Sequence, residues 1–139
     1  MANDVFVLDS NIWISYLITG RFHILVENIL ELKIDVVTCN QLIDEISNVL
    51  QREKFIKYIS KRQINEAIAI HIKLCRFVEV MDEPDLLSDK KDNFLIALYK
   101  VAHATKLVTG DKQLLLEAPN HLVNVITLEV FREQIEPLA

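Results

Sequence analysis

Val5-Phe6-Val7-Leu8-Asp9-Ser10-Asn11 opens the chain with four apolar residues in a row, closed by a carboxylate and two small polar residues. Side chains alternate between the two faces of a strand, so an unbroken apolar run predicts a strand covered on both faces. Lys106-Leu107-Val108-Thr109-Gly110-Asp111 has the same build far along the chain, again ending on an aspartate. Ile34 to Thr38, Phe77 to Val80 and Leu122 to Ile126 read as three further strands. Between the strands the apolar spacing turns helical, over Ile12 to Leu17, Phe22 to Leu32, Asn40 to Arg52, and Asp89 or Lys90 to His103. Ser60-Lys61-Arg62-Gln63 has the form of a capping box and predicts a helix to about Cys75. Thr127 is expected to cap a last helix that stops before Pro137. Apolar strands alternating with helices predict an α/β architecture, a central and mainly parallel sheet of about five strands with helices on both faces. Residues 1–139 are expected to form a single domain.

The chain has 139 residues, enough to bury a core without metal or disulfide staples. Its two glycines, Gly20 and Gly110, exclude a GxGxxG dinucleotide fingerprint and a P-loop, which need several glycines in one loop. Cys39 and Cys75 sit in apolar surroundings and are expected to be buried thiols in a reducing, cytoplasmic setting. The start lacks the basic and apolar regions of an export signal, and no uncharged apolar run approaches a membrane span, so no membrane partner is expected. Fifteen basic against twenty acidic residues give a net charge of −5. That balance argues against a general nucleic-acid coat protein. It leaves room for a nuclease, because acids gathered around a divalent cation make a site that is cationic in use.

Open parallel sheets bind ligands beyond the carboxyl ends of their strands. Asp9 follows the first strand and Asp111 the fourth. A carboxylate there is often only a helix cap, but two on neighbouring strands repel unless a cation lies between them. Glu45, in the first turns of the helix after strand two, and Asp92, in those of the helix before strand four, belong to the same rim. Asp44 and Asp89 compete with them. Adjacent helical residues point about 100° apart, so Asp44 and Glu45 cannot both face the site, and Glu45 is preferred. Asp89 is three residues from Asp92 and can assist it.

With those residues in view, the chain resembles the PIN-domain family. Val7-Leu8-Asp9-Ser10-Asn11-Ile12-Trp13-Ile14-Ser15 is similar to the family's opening motif, and Thr38-Cys39-Asn40-Gln41-Leu42-Ile43-Asp44-Glu45-Ile46 to its second segment. Asp92-Asn93-Phe94-Leu95-Ile96-Ala97 resembles the third, D-x-x-[IL]-x-A, and Val108-Thr109-Gly110-Asp111-Lys112-Gln113-Leu114-Leu115 the fourth. Order and spacing hold from Val5 to about Phe131, most closely with bacterial and archaeal members related to VapC toxins. The resemblance implies a metal-dependent endoribonuclease acting on single-stranded RNA, held in check by an antitoxin protein. It implies Asp9, Glu45, Asp92 and Asp111 as catalytic residues and ligands of Mg²⁺ or Mn²⁺, with Asn11, Ser15, Asp89 and Thr109 in support. The chain departs from the pattern at Gln113, where many relatives carry another acid, and at Cys39, where serine is common.

Arg52, Lys54, Lys57, Lys61 and Arg62 cluster between two helices with Phe55 and Tyr58 interleaved, and Glu53 alone opposes them. They read as a solvated hairpin or as an arm contacting RNA phosphates beside the acids, with Lys112, Lys90 and Lys91 flanking the site. His23, His71, His103 and His121 are dispersed and read as surface or packing residues; Trp13 and Phe22 read as core. Ile56, Ile59, Ile64, Ile68, Ile70 and Ile72 cannot all face one sheet, so a homodimer or a captured antitoxin segment is expected on an apolar surface. Haloacid-dehalogenase-type phosphatases need Asp-x-Asp after strand one, where this chain has Asp9-Ser10-Asn11. Response-regulator receivers need a lysine after strand five, which it lacks. The rival from another class is a binding or regulatory protein that keeps the PIN fold without catalysis.

Overall fold

The computed structural model describes residues 3–136. Five short strands form one sheet in the order β3-β2-β1-β4-β5, every pair parallel. They are β1 (Val5–Leu8), β2 (Asp35–Thr38), β3 (Arg76–Phe77), β4 (Lys106–Val108) and β5 (Val125–Ile126). Phe6, Val7 and Leu8 are successive residues of β1, and all are fully buried. Successive strand residues point to opposite faces, so both faces of the sheet are covered, as the apolar run predicts.

The covering helices are α1 (Ser10–Ile18), α2 (Phe22–Leu32), α3 (Asn40–Leu50), α4 (Glu53–Ile56), α5 (Lys61–Leu74), α6 (Asn93–Val101), α7 (Lys112–Glu117) and α8 (Leu128–Ile135). Gly20 takes φ +73° between α1 and α2, a conformation that costs a residue with a Cβ. Helix α5 starts with the expected capping box: Ser60 Oγ accepts the Gln63 amide at 3.1 Å, and Gln63 Oε1 accepts the Ser60 amide at 2.8 Å. Thr127 caps α8 by accepting the Val130 amide. In α6 every residue from Asn93 to Tyr99 is buried, which is why its sequence carries no polar stripe.

The third strand is Arg76–Phe77, not Phe77–Val80. Its partner β2 ends at Thr38, opposite Phe77, so one more bond, from the Val78 amide to the Thr38 carbonyl, exhausts the pairing. The fifth strand is Val125–Ile126, not Leu122–Ile126. Leu122 has φ +63° at the end of a 3-10 turn and is 88% exposed, and β4 offers only Leu107 and Val108 as partners. Helix α3 stops at Leu50, two residues before the expected Arg52, and α4 and α7 have no counterpart in the sequence reading.

The core holds Trp13, whose Nε1 donates to the Leu8 carbonyl at 3.1 Å. The His71 ring meets the indole edge-on at 4.2 Å between centroids, and its Nε2 shares a 2.8 Å hydrogen bond with Thr38 Oγ1. Burial pushes the His71 imidazole down to about 4, so it is a neutral packing residue. Cys39 and Cys75 are buried free thiols. Ile59 and Ile64 are buried, whereas Ile56, Ile70 and Ile72 are exposed, as are Leu30 and Leu32 of α2. Among the described residues no helix is long and apolar enough to cross a membrane.

Candidate active site

The chain runs outward from β1 to β2 and β3, then returns to place β4 on the other side of β1. The β1/β4 pair is therefore the switch point of the sheet, where the loops after the two strands part and leave a crevice. Asp9 and Asp111 stand at its two sides. Asp9 is buried at the N-cap of α1. Its Oδ1 accepts the Ser10 amide at 2.7 Å, while Oδ2 accepts Thr109 Oγ1 at 2.7 Å and Asn11 Nδ2 at 3.2 Å. Asp111 caps α7, its Oδ1 accepting the amides of Gln113 and Leu114. Both aspartates are thus helix caps; capping by Asp111 uses only Oδ1, and its Oδ2 accepts no hydrogen bond among the described residues.

Thr109, fully buried, joins them: its hydroxyl donates to Asp9 and accepts the Asp111 amide at 3.1 Å. Asn11 braces the same turn by accepting the Gly110 amide at 3.3 Å. Ser15 lies one helical turn beyond Asn11 and lines, with Asp111 and Leu128, a hollow of about 460 Å³.

Glu45 is half-buried on α3, and Asp44 is exposed beside it, as the helical geometry requires. Asp92 is buried at the end of a 3-10 turn, Lys90–Asp92, that leads into α6. Asp89 caps that turn by accepting the Lys91 amide, and it is exposed.

The charges of these acids reach one another. Burial raises the Asp9 carboxyl, with Asp111 adding to the rise and the Thr109 hydroxyl pulling it back. Glu45 is raised by burial and then by Asp9, with Ser10 and Arg52 opposing. Asp92 is pushed up to about 7, first by burial, then by Asp9, Asp89, Glu45 and Asp111. None of the six ion pairs among the described residues involves Asp9, Glu45, Asp92 or Asp111. Glu45 Oε2 is buried with no hydrogen-bond partner, which is costly unless something cationic meets it.

Among the described residues no three acidic, histidine or cysteine side chains converge closely enough to hold one ion directly as they stand. Mg²⁺ keeps several waters and takes only one or two carboxylates, so a looser ring of acids suits it. The donor set is all oxygen, and no histidine or cysteine competes. The residues fit a hard divalent cation.

The expected basic arm is divided. Arg52 shares a hollow with Glu45. Lys54 lies over the Phe55 ring and Lys57 over Tyr58, while Arg62 pairs with Glu66 at 3.0 Å. Lys61 lines a separate pocket together with Ile56 and Ile64, and Lys112 is exposed next to Asp111.

The PIN-domain family model matches residues 5–113, more than half the chain. The chain belongs to the PIN-domain family. Solved structures carry the same fold at low identity. VapBC2 from Rickettsia felis, bound to a DNA fragment from its promoter, is 14% identical with a TM-score of 0.62, over 88% of this chain and 98% of that one. PAE2754 from Pyrobaculum aerophilum is 12% identical with a TM-score of 0.69, over 95% of this chain and 89% of that one. No curated protein matches the chain in sequence.

Two supports of this PIN domain escaped the sequence reading. Asn93 Oδ1 accepts the Leu86 and Leu87 amides, tying the loop before Asp89 to the start of α6. An asparagine directly after the third acid was the available signal. Glu117 accepts both the amide and the hydroxyl of Ser88, and Gln113 Nε2 donates to Glu117 at 2.7 Å. Gln113 therefore braces the loop in this chain, and an acid there would face the Glu117 carboxylate. Cys39 stands at the N-cap of α3 without a side-chain hydrogen bond, so a capping interaction that serine would supply is missing.

Proposed function

We propose that this PIN domain, taken over residues 1–139, is a Mg²⁺- or Mn²⁺-dependent endoribonuclease that cleaves single-stranded RNA and serves as the toxin of a toxin–antitoxin pair. The observation that carries the reading is the group of Asp9, Glu45, Asp92 and Asp111 at the switch point, with Asp9, Glu45 and Asp92 raised in pKa and none of the four in an ion pair among the described residues. Family membership and the fold shared with VapBC2 support it.

When bound, the cation activates a water and stabilises negative charge on the attacked phosphate. Asp9, Glu45, Asp92 and Asp111 are the residues that would hold it. Thr109 and Asn11 point the Asp9 carboxylate, and the Thr109 hydroxyl fixes the start of the Asp111 turn. Asp92 and Asp89 would complete the negative side of the site, and Ser15 lines the hollow where RNA would leave it. Exposed Ile56, Ile70, Ile72, Leu30 and Leu32 supply apolar surface for an antitoxin segment or a second copy.

The test is cleavage of single-stranded RNA by the purified chain in Mg²⁺ or Mn²⁺. Activity should vanish in chelator and in Asp9→Asn. Cleavage that survives both would overturn the reading. Metal binding without any cleavage would favour the rival, a PIN-fold regulatory protein. Sedimentation at micromolar concentration separates the two interface expectations, because a monomer of about 16 kDa leaves only the antitoxin.

A further inference from the structure

We propose that Arg52 and Lys91 form a phosphate subsite that grips the RNA backbone phosphate next to the one being cut. The proposal rests on the nuclease reading above. Along α3, Gln41, Glu45 and Asn48 fall at helical spacing on one stripe, and with Arg52, two residues past the end of the helix, they line a hollow of about 330 Å³. Phe94 of α6 and Lys91 of the 3-10 turn before it also line the hollow. Glu45 belongs both to this hollow and to the acid group, so a strand crossing the acids passes directly into it.

Arg52 and Lys91 are the cations of this hollow, and both are uncommitted. Neither forms an ion pair or a side-chain hydrogen bond among the described residues. The 3-10 turn explains the choice of Lys91. At three residues per turn, consecutive side chains point in three directions. Lys90 goes to Asp85 at 3.9 Å, Asp92 to the acids, and Lys91 to the hollow. Beyond the acids the second hollow, lined by Asn11, Ser15, Gly110, Asp111 and Leu128, carries no cation. The crevice is therefore asymmetric: both cations line the Glu45 side, and the partly apolar Asp111 side has none. A strand laid across it places a phosphate at Arg52 and Lys91 and a sugar or base against Leu128. Asp44 also lines the hollow that holds Arg52 and Lys91 and opposes phosphate there.

The experiment measures binding of fluorescein-labelled decauridylate by anisotropy in Mg²⁺ over a salt series, with Asp9→Asn as the parent to block cleavage. Each phosphate contact on a single strand contributes about 0.7 to the slope of log affinity on log salt. Arg52→Gln and Lys91→Gln should each weaken binding roughly fivefold and flatten the slope by about 0.7. Lys73→Gln, on the exposed side of α5, should leave the slope alone, and Asp44→Asn should tighten binding. Slopes unchanged by both cation substitutions, or flattened equally by Lys73→Gln, would overturn the subsite. Circular dichroism checks that each variant folds, which the exposure of both side chains favours. RNA cleavage by the unaltered protein is scored separately. Cleavage with unchanged slopes defeats the subsite alone, and flattened slopes without cleavage defeat the nuclease reading alone.

Discussion

The hydroxyl of Thr109 donates a 2.7 Å hydrogen bond to Asp9 Oδ2, tying the ends of two parallel strands whose residues lie 100 positions apart. The Thr109 hydroxyl oxygen also accepts the Asp111 amide, so one buried side chain orients one acid and positions another. Thr109→Val keeps the shape and removes both bonds. It should cost about 1–3 kcal/mol of stability, because a buried carboxylate oxygen and an amide lose a partner. It should also weaken metal binding by about 10–100-fold, the usual effect of losing a group that orients a ligand. Chemical denaturation and a Mn²⁺ titration by calorimetry check the two parts; tight metal binding by a destabilised variant would show that Thr109 is only structural.

Asp9→Asn removes a charge at nearly constant shape. Oδ1 can still accept the Ser10 amide, so the cap of α1 survives. Cleavage of RNA should fall below detection. The rise in melting temperature on adding Mn²⁺ should shrink with it, since a ligand stabilises only by binding the folded state. Scanning calorimetry with and without metal separates this from misfolding, which would lower the metal-free melting temperature as well.

Asp92 makes a pH prediction of definite sign. Its folded value is raised to about 7 from an unfolded 3.8, so the folded state holds the proton more tightly. The stability it contributes is fully present below the unfolded value and is lost as pH rises through about 7. The metal-free protein should therefore be less stable at pH 8 than Asp92→Asn, with the gap closing toward pH 5. His71, pushed down to about 4, works in the opposite sense: its contribution is present above pH 6.5 and lost as pH falls. It is common to both proteins and cancels in the comparison. Thermal melts in chelator between pH 5 and 8 give the difference, and a gap that widens toward pH 5 contradicts the assignment.

Trp13 carries a structural prediction. It is 1% exposed, donates to the Leu8 carbonyl and packs against His71. Trp13→Ala should cost about 3–5 kcal/mol through the cavity it opens. Trp13→Phe should cost less, retaining the ring contact and losing the indole donor. Urea denaturation distinguishes them, and equal losses would place the cost in the hydrogen bond rather than the packing.

Local chemistry made much of this protein legible. The unbroken run Phe6-Val7-Leu8 demands cover on both faces, whatever supplies it, and so announces a buried parallel strand. The Ser60–Gln63 capping box is contained within four residues. The 100° step between Asp44 and Glu45 was enough to choose the acid that turns inward. The pairing of strands lies beyond such local terms, because a strand's length depends on how much partner it finds. Val78 to Val80 are apolar enough for a strand, yet β2 turns away at Thr38, so the sheet stops there. The basic run Arg52 to Arg62 reads as one patch, but Phe55, Tyr58 and Glu66 engage three of its cations, and of the run only Arg52, just past the end of α3, lines the hollow beside Glu45. Residue type and spacing determined which acids stand at the strand ends. Only the packing of distant segments decided which charges share one crevice, because burial and Coulomb effects depend on distances that chain order does not contain.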